Sequence, residues 1–246
     1  MKINVKHILL SLCAILLLAY VVTVSVLVTK HCSTQLCSSV EWTISDQAQR
    51  QYVTEDELTT MLKQMGLYPE GKTLSNISTQ TIEKAVLTHP MVRKAQCFIT
   101  ANGTVRIRLT QRRPILRVLT ASESYFVDSD RKRMPIRESV NTPVMMVRGI
   151  VTEHAACDEI ADMVLWINHD GYWREKIQSV HVTNPHYVYL VQKPDETKLI
   201  LGDIKGYRAK LRKLKTLYEE GFEKIGWRTY REIDLRYKGQ AIGRGK

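Results

Sequence analysis

The sequence predicts an α+β protein in three parts: an N-terminal transmembrane helix, a strand–helix–helix–strand–strand unit, and a mixed β-rich domain with flanking helices. Three observations carry this reading. Residues Ile8–Val28, ILLSLCAILLLAYVVTVSVLV, form one uncharged apolar run. Two helix signals, at 54–66 and 79–87, sit between period-two strand patterns at 38–44 and 95–109. From Ile115 onward, short apolar runs of strand length recur, interrupted by two helical patterns.

The apolar run is long enough to be a membrane span. At about 1.5 Å per residue it crosses the roughly 30 Å hydrocarbon core of a bilayer, and a helix satisfies its own backbone groups there. A cleaved signal peptide has an apolar core of about 7–15 residues and a small-x-small cleavage site. Thr29-Lys30-His31-Cys32-Ser33 offers no such site, so the run reads as a retained anchor. Lys2, Lys6 and the amino terminus precede it, and Lys30 is the only Lys or Arg after it until Arg50. Positive charge beside a span holds its side in the cytoplasm. Residues 1–7 are therefore expected as a cytoplasmic tail, 29–37 as a juxtamembrane linker, and the rest of the chain outside.

Composition narrows the function classes. With 44% hydrophobic and 25% charged residues, the outer part can build a packed core. The net charge of +11 reads as a solvated basic surface. No zinc-finger or RRM pattern accompanies it, and no nucleic-acid partner is expected outside a membrane. Five cysteines are too few for a disulfide-built scaffold. Cys13 falls in the span, and Cys97 reads as a small core residue on an apolar strand face. Cys32 and Cys37 flank a short stretch just outside the span; a local bridge and two separate thiols both fit. No CxxC or Cys/His pair at zinc-finger spacing occurs, so no metal or other cofactor is expected.

The elements follow in order. Ser38–Ile44 alternates Val40, Trp42 and Ile44 as a strand. Thr54-Glu55-Asp56-Glu57 is a capping box that opens a helix through Leu58, Met61, Leu62 and Met65, ended by Gly66. Thr79–Leu87 is a second helix with Ile82, Ala85 and Val86 on one face, stopped by His89-Pro90. Ala95, Cys97, Ile99 and then Val105, Ile107, Leu109 alternate around Asn102-Gly103, the signature of a hairpin whose turn needs positive φ angles. Arg112-Arg113-Pro114 closes this unit, 38–113, with no Gly/Ser linker, which implies a stiff attachment. In the next domain, 114–237, strands are expected at Leu116–Val118, Tyr125–Asp128, Val144–Val147, Ile177–Val182, Tyr187–Gln192 and Leu199–Leu201. Helices are expected at Thr152–Asn168 and at Tyr207–Phe222, the latter strongly basic with Leu211, Leu214, Leu217 and Tyr218 inward. Thr229–Tyr237 alternates as the last strand, and 238–246 reads as a flexible glycine-rich tail.

Four short motifs in this order give a resemblance. They are His89-Pro90-Met91-Val92-Arg93-Lys94-Ala95; Gln111-Arg112-Arg113-Pro114; Tyr125-Phe126-Val127-Asp128-Ser129-Asp130; and Ile233-Asp234-Leu235-Arg236-Tyr237. Behind one N-terminal anchor, the set resembles the FtsQ/DivIB bacterial cell-division proteins over nearly the whole chain. Gln111 stands where the family has Glu, and the glycine that follows the third motif is missing here. The resemblance implies a POTRA domain at 38–113 and a non-catalytic divisome scaffold, single-pass and type II in the inner membrane at the division septum, with its bulk periplasmic. It further implies FtsB/FtsL-like single-span partners, docked by strand addition at the C-terminal strand, other divisome components, and a link to peptidoglycan synthesis. Leu235, Arg236, Tyr237, Lys238, Gly239 and Gln240 fall where the partner strand docks. An exposed sheet edge offers the free N–H and C=O groups that such docking needs, and Tyr and Arg are frequent interface anchors. The bland alternative is that Tyr237 packs on its own domain.

Asp128-Ser129-Asp130 is an Asp-x-Asp pattern, which suits a divalent metal in a membrane-anchored glycosyltransferase-like enzyme. The alternating strand–helix order of a nucleotide-binding domain is absent, and Asp and Ser are ordinary turn formers. No G-x-S-x-G, S-x-x-K or H-E-x-x-H occurs, and His154, His169, His181 and His186 are scattered. Asn76-Ile77-Ser78 and Asn102-Gly103-Thr104 match a glycosylation pattern that is incidental in a bacterial protein.

Overall fold

The computed structural model describes residues 12–25, 35–45, 51–137, 142–184, 186–221 and 230–245. The chain divides into two compact units, Met1–Gln111 and Arg112–Lys246. The first element is a helix, α1, over 12–25, with Leu12, Ile15, Leu16, Leu17, Leu18, Tyr20, Val21, Val22 and Val24 exposed. Among the described residues no helix is long and apolar enough to cross a membrane. The two ends of the expected span, 8–11 and 26–28, lie outside the described residues, as does Cys32.

The first unit continues with β1 (Ser39–Ser45), α2 (Glu55–Gln64), α3 (Thr79–Leu87), β2 (Val92–Ile99) and β3 (Thr104–Gln111). Among the described residues its sheet runs β1-β3-β2, with β1 parallel and β2 antiparallel to β3. Thr54 caps α2 by accepting the amide of Glu57 at 3.3 Å. At the other end, Gly66 at φ +67 and the bonds Gly66 N–H to Lys63 O and Leu67 N–H to Leu62 O form a Schellman stop. Ser78 caps α3 in the same way as Thr54 caps α2. The hairpin turn differs from expectation. Gly103 alone takes positive φ (+83), after a turn closed by Gly103 N–H to Thr100 O, so Asn102 keeps ordinary geometry. Gln111 anchors the approach to α2: its Oε1 accepts from the amides of Tyr52 at 2.7 Å and Val53 at 3.1 Å. Cys97 is buried as expected, and burial pushes its thiol up to about 12.

The second unit contains β4 (Pro114–Leu119), β5 (Ser124–Asp128), β6 (Arg133–Met134), β7 (Met145–Gly149), β8 (Ile177–Asn184), β9 (Tyr187–Gln192), β10 (Lys198–Gly202), β11 (Tyr230–Asp234) and β12 (Ile242–Gly245). Among the described residues they form one nine-stranded mixed sheet, β12-β11-β10-β9-β8-β7-β4-β5-β6. The pairs β4–β7, β7–β8 and β10–β11 are parallel. Between β7 and β8 the chain runs helically through α4 (Glu153–Ala155), a π turn (Ala156–Ile160), α5 (Ala161–His169) and α6 (Gly171–Lys176). Asp170 caps α6 through the amides of Tyr172 and Trp173. The basic helix is α7 (Tyr207–Thr216), continued by a π turn over Leu217–Gly221.

Alternation along the strands sorts the two faces. Leu116, Val118, Val147, Val180, Val182, Val188, Leu190, Leu199, Leu201, Ile233 and Leu235 join Ile160, Val164, Ile167, Trp173, Leu211 and Leu214 in one buried core under the helices. The opposite face carries Arg117, Met146, Arg148, Ser179, His181, Tyr189, Val191 and Lys198, which meet across the strand registers.

The end of the chain departs from the sequence reading. The last expected strand stops at Asp234 rather than Tyr237, because the Asp234 carboxylate accepts the Arg236 amide at 3.1 Å and turns the chain. The segment expected as a flexible tail contains β12, which pairs antiparallel with β11 (Ile233 with Gly243, Asp234 with Ile242).

Candidate partner-docking edge

At one end of the large sheet lies β12, all four residues exposed. Its inner side pairs with β11, and among the described residues no strand lies on its outer side. Gly243 makes room for its neighbour: a Cβ there would lie 2.5 Å from the Tyr230 ring, which rests across the glycine.

The connection 235–241 is held from several directions. Leu235 points inward, 1% exposed, and extends the buried row begun by Ile233. Arg236 grips Asp234 through Nε and Nη2, the shortest contact being 2.7 Å. That pairing holds the Asp234 carboxyl below the usual carboxylate range and raises the guanidinium still further. The arginine stem crosses Gly202, which sits at φ +68 and whose missing Cβ would lie 2.8 Å from Arg236 Cγ. The guanidinium carbon lies 5.7 Å from the Tyr187 ring centre and 5.8 Å from that of Tyr237. Tyr237 is 48% exposed, and Lys238, Gly239 and Gln240 are exposed after it. From α7, Lys213 Nζ donates to the carbonyl of Tyr237 at 2.8 Å and to that of Gln240, tying both ends of the turn to the helix. Partial burial lowers the Lys213 pKa. A cleft of about 250 Å³ opens between α7 and this turn, lined by Gly206, Lys213, Arg236, Tyr237 and Gly239 among others.

Of the six residues singled out for docking, five are thus presented at the surface beside an open strand, and Leu235 belongs to the core. Sequence reasoning missed β12 and Lys213. Asp128 is placed very differently. Its carboxylate is 1% exposed, takes Arg112 Nη1 at 2.6 Å, and accepts the amides of Asp130 at 2.9 Å and Lys132 at 2.8 Å. Those contacts make it the centre of the β5–β6 turn and leave little for a metal ion. Among the described residues no group of three His, Cys, Asp or Glu is placed to hold one. Cys37 is buried, with its thiol 3.4 Å from Ser39 O.

The motif residues therefore have defined structural work: Gln111 caps a turn, Arg112 neutralises Asp128, and Asp234 and Arg236 shape the last turn. A model of the FtsQ/DivIB C-terminal related domain matches residues 113–243, more than half of the chain. The chain belongs to the FtsQ/DivIB family. A POTRA-like domain model matches residues 35–110, which contain the β1-β3-β2 sheet and its two helices. Among curated proteins no significant match was found. The domains of an FtsQ/DivIB protein fit a cell-division scaffold.

Proposed function

We propose that this chain is a non-catalytic divisome scaffold that docks FtsB/FtsL-like single-span partners by β-strand addition. The observation that carries the reading is β12, an exposed four-residue strand whose outer edge is unpaired among the described residues. A partner strand laid there gains backbone hydrogen bonds worth about 1 kcal/mol each net. Arg236, Tyr237, Lys238 and Gln240 flank the edge and supply side-chain contacts, with Gly239 in the turn between them and Leu235 as its buried root. The apolar run Ile8–Val28 anchors the chain in the inner membrane, amino terminus inside, so that both folded units face the periplasm and link septum assembly to peptidoglycan synthesis.

The test compares partner recovery by the full chain, by Tyr237→Ala and by a chain ending at Ala241. Residues 242–245 are exposed, so their removal spares the core. Loss of co-purified partner with membrane insertion intact is the expected result. Normal recovery by the shortened chain would contradict strand addition at this edge.

A further inference from the structure

The helix-free face of the large sheet carries a second feature, separate from the β12 edge. Arg148 on β7, His181 on β8, Tyr189 on β9 and Lys198 on β10 line a groove of about 330 Å³, floored by Met146, Ser179 and Val191. Strand register brings them together: Arg148 stands opposite His181, His181 opposite Tyr189, and Lys198 opposite Val191. The His181 and Tyr189 rings stack at 4.8 Å and 12°, and His181 Nε2 lies 3.1 Å from Ser179 Oγ. Arg148 is exposed, and its side chain makes no ion pair or hydrogen bond among the described residues. Lys198 is exposed and lies 3.8 Å from the half-buried carboxylate of Glu232. Glu196, at the rim, is the one acidic side chain of the groove.

The groove thus holds two cations, of which Arg148 has no acidic partner among the described residues, over a partly apolar floor. Burial first, and Arg148 and Lys198 after it, lower the His181 pKa. We propose that this face is a docking surface for an acidic segment of a protein partner. Carboxylates would meet Arg148 and Lys198, while apolar side chains of the same segment would cover Met146, Val191 and the Tyr189 ring. A polyanion without apolar groups would leave that floor uncovered. A second copy of this chain, itself at net +11, would be repelled on approach.

The test uses the full chain in mild detergent and a fluorescein-labelled peptide of Glu-Glu-Leu repeats, followed by anisotropy. Arg148→Glu with Lys198→Glu should weaken binding by about tenfold or more, since like charges then face each other. Arg148→Gln with Lys198→Gln should weaken it less, and Arg212→Glu on α7 should leave it unchanged. Bound peptide should also raise the His181 pKa in an imidazole NMR titration, because the groups facing that ring (Arg148, Lys198, Tyr189, Ser179 and Glu196) then include added carboxylates. Four results would each overturn the assignment: no peptide binding, equal loss with Arg212→Glu, binding of inorganic polyphosphate in place of the peptide, or self-association abolished by the same double variant.

Discussion

Replacing Arg112 by Met should destabilise the second unit by about 3 kcal/mol. The side chain of Asp128 is 1% exposed and its partner Arg112 is 14% exposed, with 2.6 Å between Oδ2 and Nη1. Removing one member of a buried pair costs about 3–5 kcal/mol, because the remaining charge stays buried without compensation. The amides of Asp130 and Lys132 still serve Oδ1, which places the loss at the lower end. Methionine keeps most of the arginine stem, so lost packing adds little. For a unit of this size the loss corresponds to a drop in Tm of about 10 °C. Thermal unfolding followed by tryptophan fluorescence is suited to it, since Trp166 and the fully buried Trp173 both lie in this unit. Adding Asp128→Asn to the Arg112→Met chain should recover part of the loss. The amide removes the stranded charge while its oxygen still accepts from the turn. A shift below about 2 °C for the single variant, or a further drop in the double variant, would refute the reasoning.

Three further outcomes follow from the same geometry. Gly149→Ala would place a Cβ 2.1 Å from the carbonyl oxygen of Val182 at a φ of +109, so a loss of about 2–3 kcal/mol is expected in urea unfolding; a change below about 0.5 kcal/mol would contradict it. Because Arg236 lowers the Asp234 pKa, the pair's contribution is present above the ordinary carboxylate value near pH 4 and is lost as pH falls through the lower folded value. The stability gap between the parent chain and Arg236→Met should therefore hold from about pH 7 to 5 and close in stronger acid; a gap that does not change would count against the pairing. Lys213→Ala should free the 237–240 turn from α7, read as new limited-proteolysis cuts there and weaker partner recovery; an unchanged digestion pattern would show that the lysine does not hold the turn.

Much of the fold was legible wherever a local signal had a local cause. The Thr54 capping box and Gly66 bracket α2 at Glu55–Gln64, and a short apolar run locates β9 at Tyr187–Gln192. The missed elements have weak local signals. The strand β6 has two residues, α6 is one short turn set off by the Asp170 cap, and β12 reads Ile-Gly-Arg-Gly, with no apolar alternation. Pairing to β11 and the Lys213 ties make β12 a strand, and both partners lie elsewhere in the chain. Leu235 could have been assigned to the core, because it continues the inward parity of Ile233. The partners of Gln111 and Arg112 were not readable, since Tyr52, Val53 and Asp128 are brought to them by tertiary structure. The cationic sheet face was invisible for the same reason: its residues come from four strands and meet only through register.

In-cell photo-crosslinking probes docking at the β12 edge most directly. A photoreactive residue placed at Tyr237, and separately at Ile242, should capture small single-span coiled-coil proteins identifiable by mass spectrometry. The same probe at Arg212, on the exposed surface of α7, should capture neither. Crosslinks confined to the two edge positions are the predicted result; a correctly inserted chain that yields none from either position would contradict docking by strand addition.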